Sequence, residues 1–76
     1  MPVIATFKGC SIRVYFKDHN PPHVHVYSAE GQAKYRISDS ELIDGDLPAK
    51  HQRQVRAWLD DNRDFALRKW REIAEA

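Results

Sequence analysis

Between residues 3 and 38 apolar and polar side chains alternate with period two, and beyond Asp46 the apolar spacing changes to three and four. Successive side chains on a strand point to opposite faces, so slipping the register by one residue would turn the whole apolar set outward. Val3, Ala5 and Phe7, then Ile12, Val14 and Phe16, Val24 and Val26, and Ala33, Tyr35 and Ile37 fall on one face. The other face collects Thr6, Lys8, Arg13, Tyr15, Lys17, His23, His25, Tyr27, Lys34 and Arg36. Two hairpins are predicted, 3–8 with 11–17 through Gly9-Cys10, and 23–28 with 33–38 through residues 29–32. The stretch 38–47 is acidic and turn-rich, with room for a very short fifth strand around Leu42 and Ile43.

Asp46, Leu47 and Pro48 form a helix-start signature, an acidic cap followed by proline in the first turn. Val55, Leu59, Asn62, Ala66, Trp70 and Ile73 then recur at helical spacing, with Trp58 and Phe65 on one flank. A single helix of about 26 residues would reach about 39 Å, roughly twice the length of an ordinary strand. Asp60-Asp61-Asn62 is a poor helical interior and a good cap. Two helices with a break near Asn62 are therefore expected, with one kinked helix as the alternative. The predicted fold is α+β, a single domain over residues 1–76 with strands in about 3–38, a connector over 38–47 and a helical region over 48–75. It has a four-stranded, mostly antiparallel sheet, two C-terminal helices packed on the apolar face and a cationic face opposite.

Composition narrows the function classes. With 76 residues, 42% of them hydrophobic, the chain holds one packed core. Cys10 is the only cysteine, which excludes an internal disulfide and a thiolate cluster and leaves a small turn or strand residue. The start lacks the basic region and long apolar run of a signal peptide and no membrane span is evident, so a cytoplasmic location is expected. Charge is uneven. Up to residue 36, Lys8, Arg13, Lys17, Lys34 and Arg36 face only Asp18 and Glu30, whereas the remainder is net acidic. The basic surplus travels with the histidines.

Three of the four histidines lie within seven positions, in Asp18-His19-Asn20-Pro21-Pro22-His23-Val24-His25. His23 and His25, two apart on a strand, share a face, and the two prolines stiffen the turn before them. Three chemistries suit this set. His23 and His25, completed by His19 or Asp18, can ligate a weakly held divalent transition ion with an open position. The imidazoles of His19, His23 and His25 can share acid and base roles on a phosphodiester held by basic side chains. Arg13, Lys17, Lys34 and Arg36 can take phosphates while Tyr15 and Tyr27 stack on bases. The plain alternative is a rigid turn with ordinary strand histidines. His51, among charged neighbours in the first helix, is expected at the surface. The mixed helical charges read as a solvated face and suit a DNA-reading helix poorly.

The box Tyr15-Phe16-Lys17-Asp18-His19-Asn20-Pro21-Pro22-His23-Val24-His25-Val26 resembles the signature of a family of small bacterial proteins, the domain of unknown function 4160. The resemblance runs from Pro2-Val3-Ile4 through Gly45-Asp46-Leu47-Pro48 to Val55, Trp58, Asn62-Arg63 and Trp70. It implies a toxin–antitoxin component or transcriptional regulator, encoded beside a second small protein that is its partner. It carries no catalytic role onto Asp18, His19, Pro21, Pro22, His23 or His25, which match the box. The expected function is a toxin–antitoxin-type or transcription-regulatory module binding a partner protein, with RNA or DNA, through the basic histidine-bearing face and without a membrane. The alternatives are an RNase using His23 and His25, with or without metal, and a protein–protein adaptor with a structural His-Pro-Pro-His turn. Neither the toxic or protective role nor a homo-oligomeric state follows from the sequence.

Overall fold

The β-branched and aromatic alternation resolves into strands β1 (Val3–Phe7), β2 (Cys10–Arg13), β3 (His23–Ser28), β4 (Gly31–Arg36) and β5 (Leu42–Gly45). Helices α1 (Ala49–Asp61) and α2 (Arg63–Ala74) follow. These elements come from a computed structural model that describes residues 3–75. The strands form one antiparallel meander in chain order. The architecture is the expected α+β, but the sheet has five strands rather than four.

The fifth strand lies inside the acidic connector. It pairs with β4 through Ala33 opposite Gly45, Lys34 opposite Asp44 and Tyr35 opposite Leu42. Its side chains give little signal, because Ile43, Asp44 and Gly45 are exposed and only Leu42 packs against the core. The backbone carries the pairing instead. Gly45 has φ +76°, and a Cβ there would lie 2.2 Å from the Gln32 carbonyl oxygen, so only glycine fits.

Ile12, Val14, Val24, Val26, Ala33, Tyr35 and Ile37 are buried on one face of the sheet and meet Val55, Leu59, Ala66 and Trp70 of the helices. Trp58 is half-buried, edge-on to both Phe7 and Phe65. Two expected core residues lie elsewhere. A register shift between Val3 and Ala5 sets Val3 opposite Arg13, where it is exposed, and Ile4 packs against the core. Phe16 is 63% exposed, because β2 ends at Arg13 and the alternation loses its meaning in the loop that follows.

The helix signatures also act differently from expectation. Pro48 is the N-cap residue of α1, and Asp46 accepts from the Leu47 amide instead of capping the helix. The break falls at Asn62, as the sequence predicts, but its amide side chain donates back to the Trp58 carbonyl and so closes the end of α1 rather than the start of α2. His51 is buried, not at the surface. It tucks beneath the β1–β2 turn, its Cε1 3.1 Å from where a Cβ of Gly9 would stand, with Nδ1 3.2 Å from Gln54 Oε1. The absent side chain at Gly9, whose φ is +88°, makes the room for that ring.

Candidate functional site

The sheet register fixes which polar side chains meet. Arg13, His25 and Lys34 stand opposite one another across β2, β3 and β4, on the face away from the helices. His23 and Tyr27 flank His25 on the same strand and face, and His23 is opposite Arg36. Residues 14–22 then fold back over one end of this face. Lys17 takes a left-handed conformation at φ +56°, uncommon for a residue with a side chain, and the next residue, Asp18, reaches both histidines. The Asn20–Pro21 peptide is cis.

Asp18 is the centre of the cluster. Its Oδ2 lies 2.9 Å from His25 Nε2 and 3.1 Å from His23 Nε2. Its Oδ1 accepts from the His19 amide at 3.0 Å, with His19 Nδ1 3.4 Å away. The His23 Nδ1–H donates to the Pro21 carbonyl at 2.8 Å, and its side chain is only 3% exposed. With Nδ1 the donor, a neutral His23 presents the lone pair of Nε2 to the carboxylate. That buried nitrogen has no hydrogen-bond partner among the described residues, although a carboxylate oxygen is close. His25 is oriented by its Nε2–H bond to Asp18 and by the Tyr15 ring, edge-on at 4.4 Å.

Electrostatics follow from this enclosure. Burial alone would raise the Asp18 carboxyl, but the bonds from His25 and the His19 amide, with the neighbouring imidazoles, hold it below the usual carboxylate range. Burial pushes His25 below the ordinary histidine value, and the nearby Asp18 offsets this only in part. His19, by contrast, has a side chain 81% exposed.

The expected site residues therefore separate. Asp18, His23 and His25 converge, each offering one ligating atom within 4.8 Å of the others, and His19 stands at the rim. Arg13, Tyr15, Tyr27 and Lys34 gather around His25: the Arg13 guanidinium lies over the Tyr27 ring at 4.9 Å, and the Tyr15 and Tyr27 hydroxyls are hydrogen-bonded. Arg36 shares the face of His23 and Lys34 as expected but is ion-paired, whereas Lys17 lies outside the strands. Lys17 is in the loop, its ammonium over the exposed Phe16 ring, and Arg36 is held bidentately by Asp39. Sequence reasoning also missed Asp44, which β5 places opposite Lys34. The acidity of the connector was its only trace. Positive charge is thereby concentrated toward β2, around Arg13.

The family model for the domain of unknown function DUF4160 matches residues 9–71, which span β2 through most of α2. The chain belongs to this family. No curated protein and no solved structure matches it.

Proposed function

We propose that the chain is a small regulatory module that binds single-stranded nucleic acid on the helix-free face of its sheet. The observation that carries this reading is the row of Arg13, His25 and Lys34 across three adjacent strands, with the guanidinium of Arg13 stacked on Tyr27. A sheet face with cations for phosphates and rings for bases suits an unstacked strand better than a duplex groove. No carboxylate lies within ion-pair distance of Arg13 or Lys34 among the described residues, which leaves both able to meet phosphates.

The toxin–antitoxin setting implied by the family resemblance adds a protein partner encoded next to this chain. Co-expression and co-purification with that neighbour, scoring growth and RNA integrity together, tests that part of the reading. Among the described residues no helix is long and apolar enough to cross a membrane. A metal-free RNase is the weaker reading, because both imidazole Nε2 atoms face Asp18 instead of the open sheet.

The test is fluorescence anisotropy with short single-stranded RNA and DNA over a salt series. Affinity should fall steeply with salt through counterion release. Arg13→Ala should weaken binding to every sequence alike, because phosphate contacts carry little sequence information. Arg36→Ala, which removes a cation already held by Asp39, should matter less. An absence of salt-dependent binding at low ionic strength would reject this reading in favour of a protein adaptor.

A further inference from the structure

We infer that Asp18, His23 and His25 form a binding site for a divalent first-row transition ion of the zinc class, taken by Asp18 Oδ2 and the Nε2 atoms of both histidines. The inference is independent of the nucleic-acid reading.

Spacing is the first argument. Ligands about 2.1 Å from a common ion, at angles between octahedral and tetrahedral, stand about 3.0–3.4 Å apart. Asp18 Oδ2 already lies 3.1 Å from one imidazole Nε2 and 2.9 Å from the other. All three ligand atoms lie within 4.8 Å of one another, so side-chain adjustment, including any closing of the two imidazoles toward each other, would bring them to a common ion.

Orientation is the second and independent argument. His23 is fixed from behind by its Nδ1–H bond to the Pro21 carbonyl, the outer contact that turns a ligating histidine's Nε2 toward its metal. The side chain is more than nine-tenths buried, and its Nε2 is unpartnered and aimed at a carboxylate oxygen. Two acceptors facing each other in a buried site repel unless something positive lies between them. A proton on Nε2 would meet this need, and so would a metal ion, with His25 then carrying its proton on Nδ1 and offering Nε2 as the third ligand.

Donor chemistry selects the class of ion. Two imidazole nitrogens and one carboxylate oxygen suit zinc, cobalt, nickel or ferrous iron, whereas calcium and magnesium prefer oxygen ligands throughout. Three protein ligands leave at least one position for water or an anion. Arg13 and Lys34, flanking His25 in register, make an anion the favoured fourth partner.

The test uses the full chain with Co2+ as a visible probe and Zn2+ as competitor. Cobalt should bind one per chain with a saturable d–d absorption band, and zinc should displace it. His25→Gln, at the most accessible of the three ligands, should weaken zinc binding about tenfold or more, and Asp18→Asn should do the same. His19→Gln should change it no more than about twofold, since this ring lies outside the ligand set. Circular dichroism establishes that each variant is folded, and the cobalt spectrum of His19→Gln serves as the folded reference should Asp18→Asn lose structure. No saturable cobalt binding by the wild type, or unaltered affinity in folded His25→Gln, would overturn the inference and leave the cluster as a hydrogen-bonded clamp on the turn.

Discussion

Two polar clusters tie turns of this chain to its body, and they are built on opposite accounts of donors and acceptors. At the helix junction, Arg63 donates from Nε to the Ile37 carbonyl at 2.8 Å, and from Nη2 to Ser40 Oγ at 2.7 Å and Asp60 Oδ1 at 2.8 Å. Ser40, in a left-handed conformation at φ +61°, donates its hydroxyl to the same Asp60 oxygen. Every contact there matches a donor to an acceptor. Near the same ends of β3 and β4, where His23 stands opposite Arg36, Asp18 meets two imidazoles, and a neutral His23 presents a buried lone pair to it. The first cluster is complete in itself and reads as structural. The second leaves a buried imidazole nitrogen 3.1 Å from a carboxylate oxygen, a contact completed by a proton on Nε2 or by a bound cation. A buried polar group without its partner costs more than a matched one contributes, so the contrast has measurable consequences.

The largest effect should come from breaking the closed cluster. Arg63→Ala removes the donor to the Ile37 carbonyl and to the buried Ser40, and should cost about 2 kcal/mol of unfolding free energy in urea melts. In the metal-free protein, His23→Phe keeps a ring in the buried slot and removes the opposed lone pair while losing the Pro21 bond. It should cost less, about 1 kcal/mol. Equal losses at the two positions would mean that the imbalance at Asp18 has no energetic weight.

Acid should separate the clusters as well. The hydrogen bonds from Arg63 and Ser40 lower the Asp60 carboxyl below its ordinary 3.8. A carboxyl depressed by folding contributes stability that is complete above its unfolded value and is lost as pH falls through the folded one. Asp60→Asn should therefore lower stability near neutrality and flatten the loss seen below about pH 4. The check is a series of urea midpoints across that range. An unchanged acid limb would show that Asp60 is not held by this network. The smallest effect is expected at Lys17, where φ is +56°. Lys17→Gly relieves the left-handed cost but frees the unfolded chain, and should stabilise by no more than about 0.5 kcal/mol.

What was legible in the sequence is what periodicity encodes. The third strand occupies residues 23–28 as the alternation requires, and the helical break falls at Asn62, where Asp60-Asp61-Asn62 interrupts good helix formers. Residues governed by backbone geometry or distant contact were not legible. Ile43 and Asp44 lie in a strand whose pairing with β4 leaves them exposed, so no apolar stripe announces it. Burial of His51 depends on the missing side chain at Gly9, more than forty positions away. At the candidate site, spacing placed His23 and His25 on one face. It could not reveal that Asp18 sits against both Nε2 atoms, because that depends on the path of the loop after Lys17. The cationic face was overread for a similar reason, since the turn after β4 brings Asp39 onto Arg36 and β5 sets Asp44 opposite Lys34, and neither is visible in the alternation.

The central claim is that the Asp18 cluster is completed by a bound cation, and imidazole nitrogen NMR tests it most directly. The chain has four histidines, so each ring can be followed separately while zinc is added to the uniformly 15N-labelled protein. The account predicts that the Nε2 resonances of His23 and His25 move together and saturate at one zinc per chain, while those of His19 and His51 stay in place. Zinc that shifts His19 or His51 first, or leaves the His23 Nε2 unmoved, would contradict it.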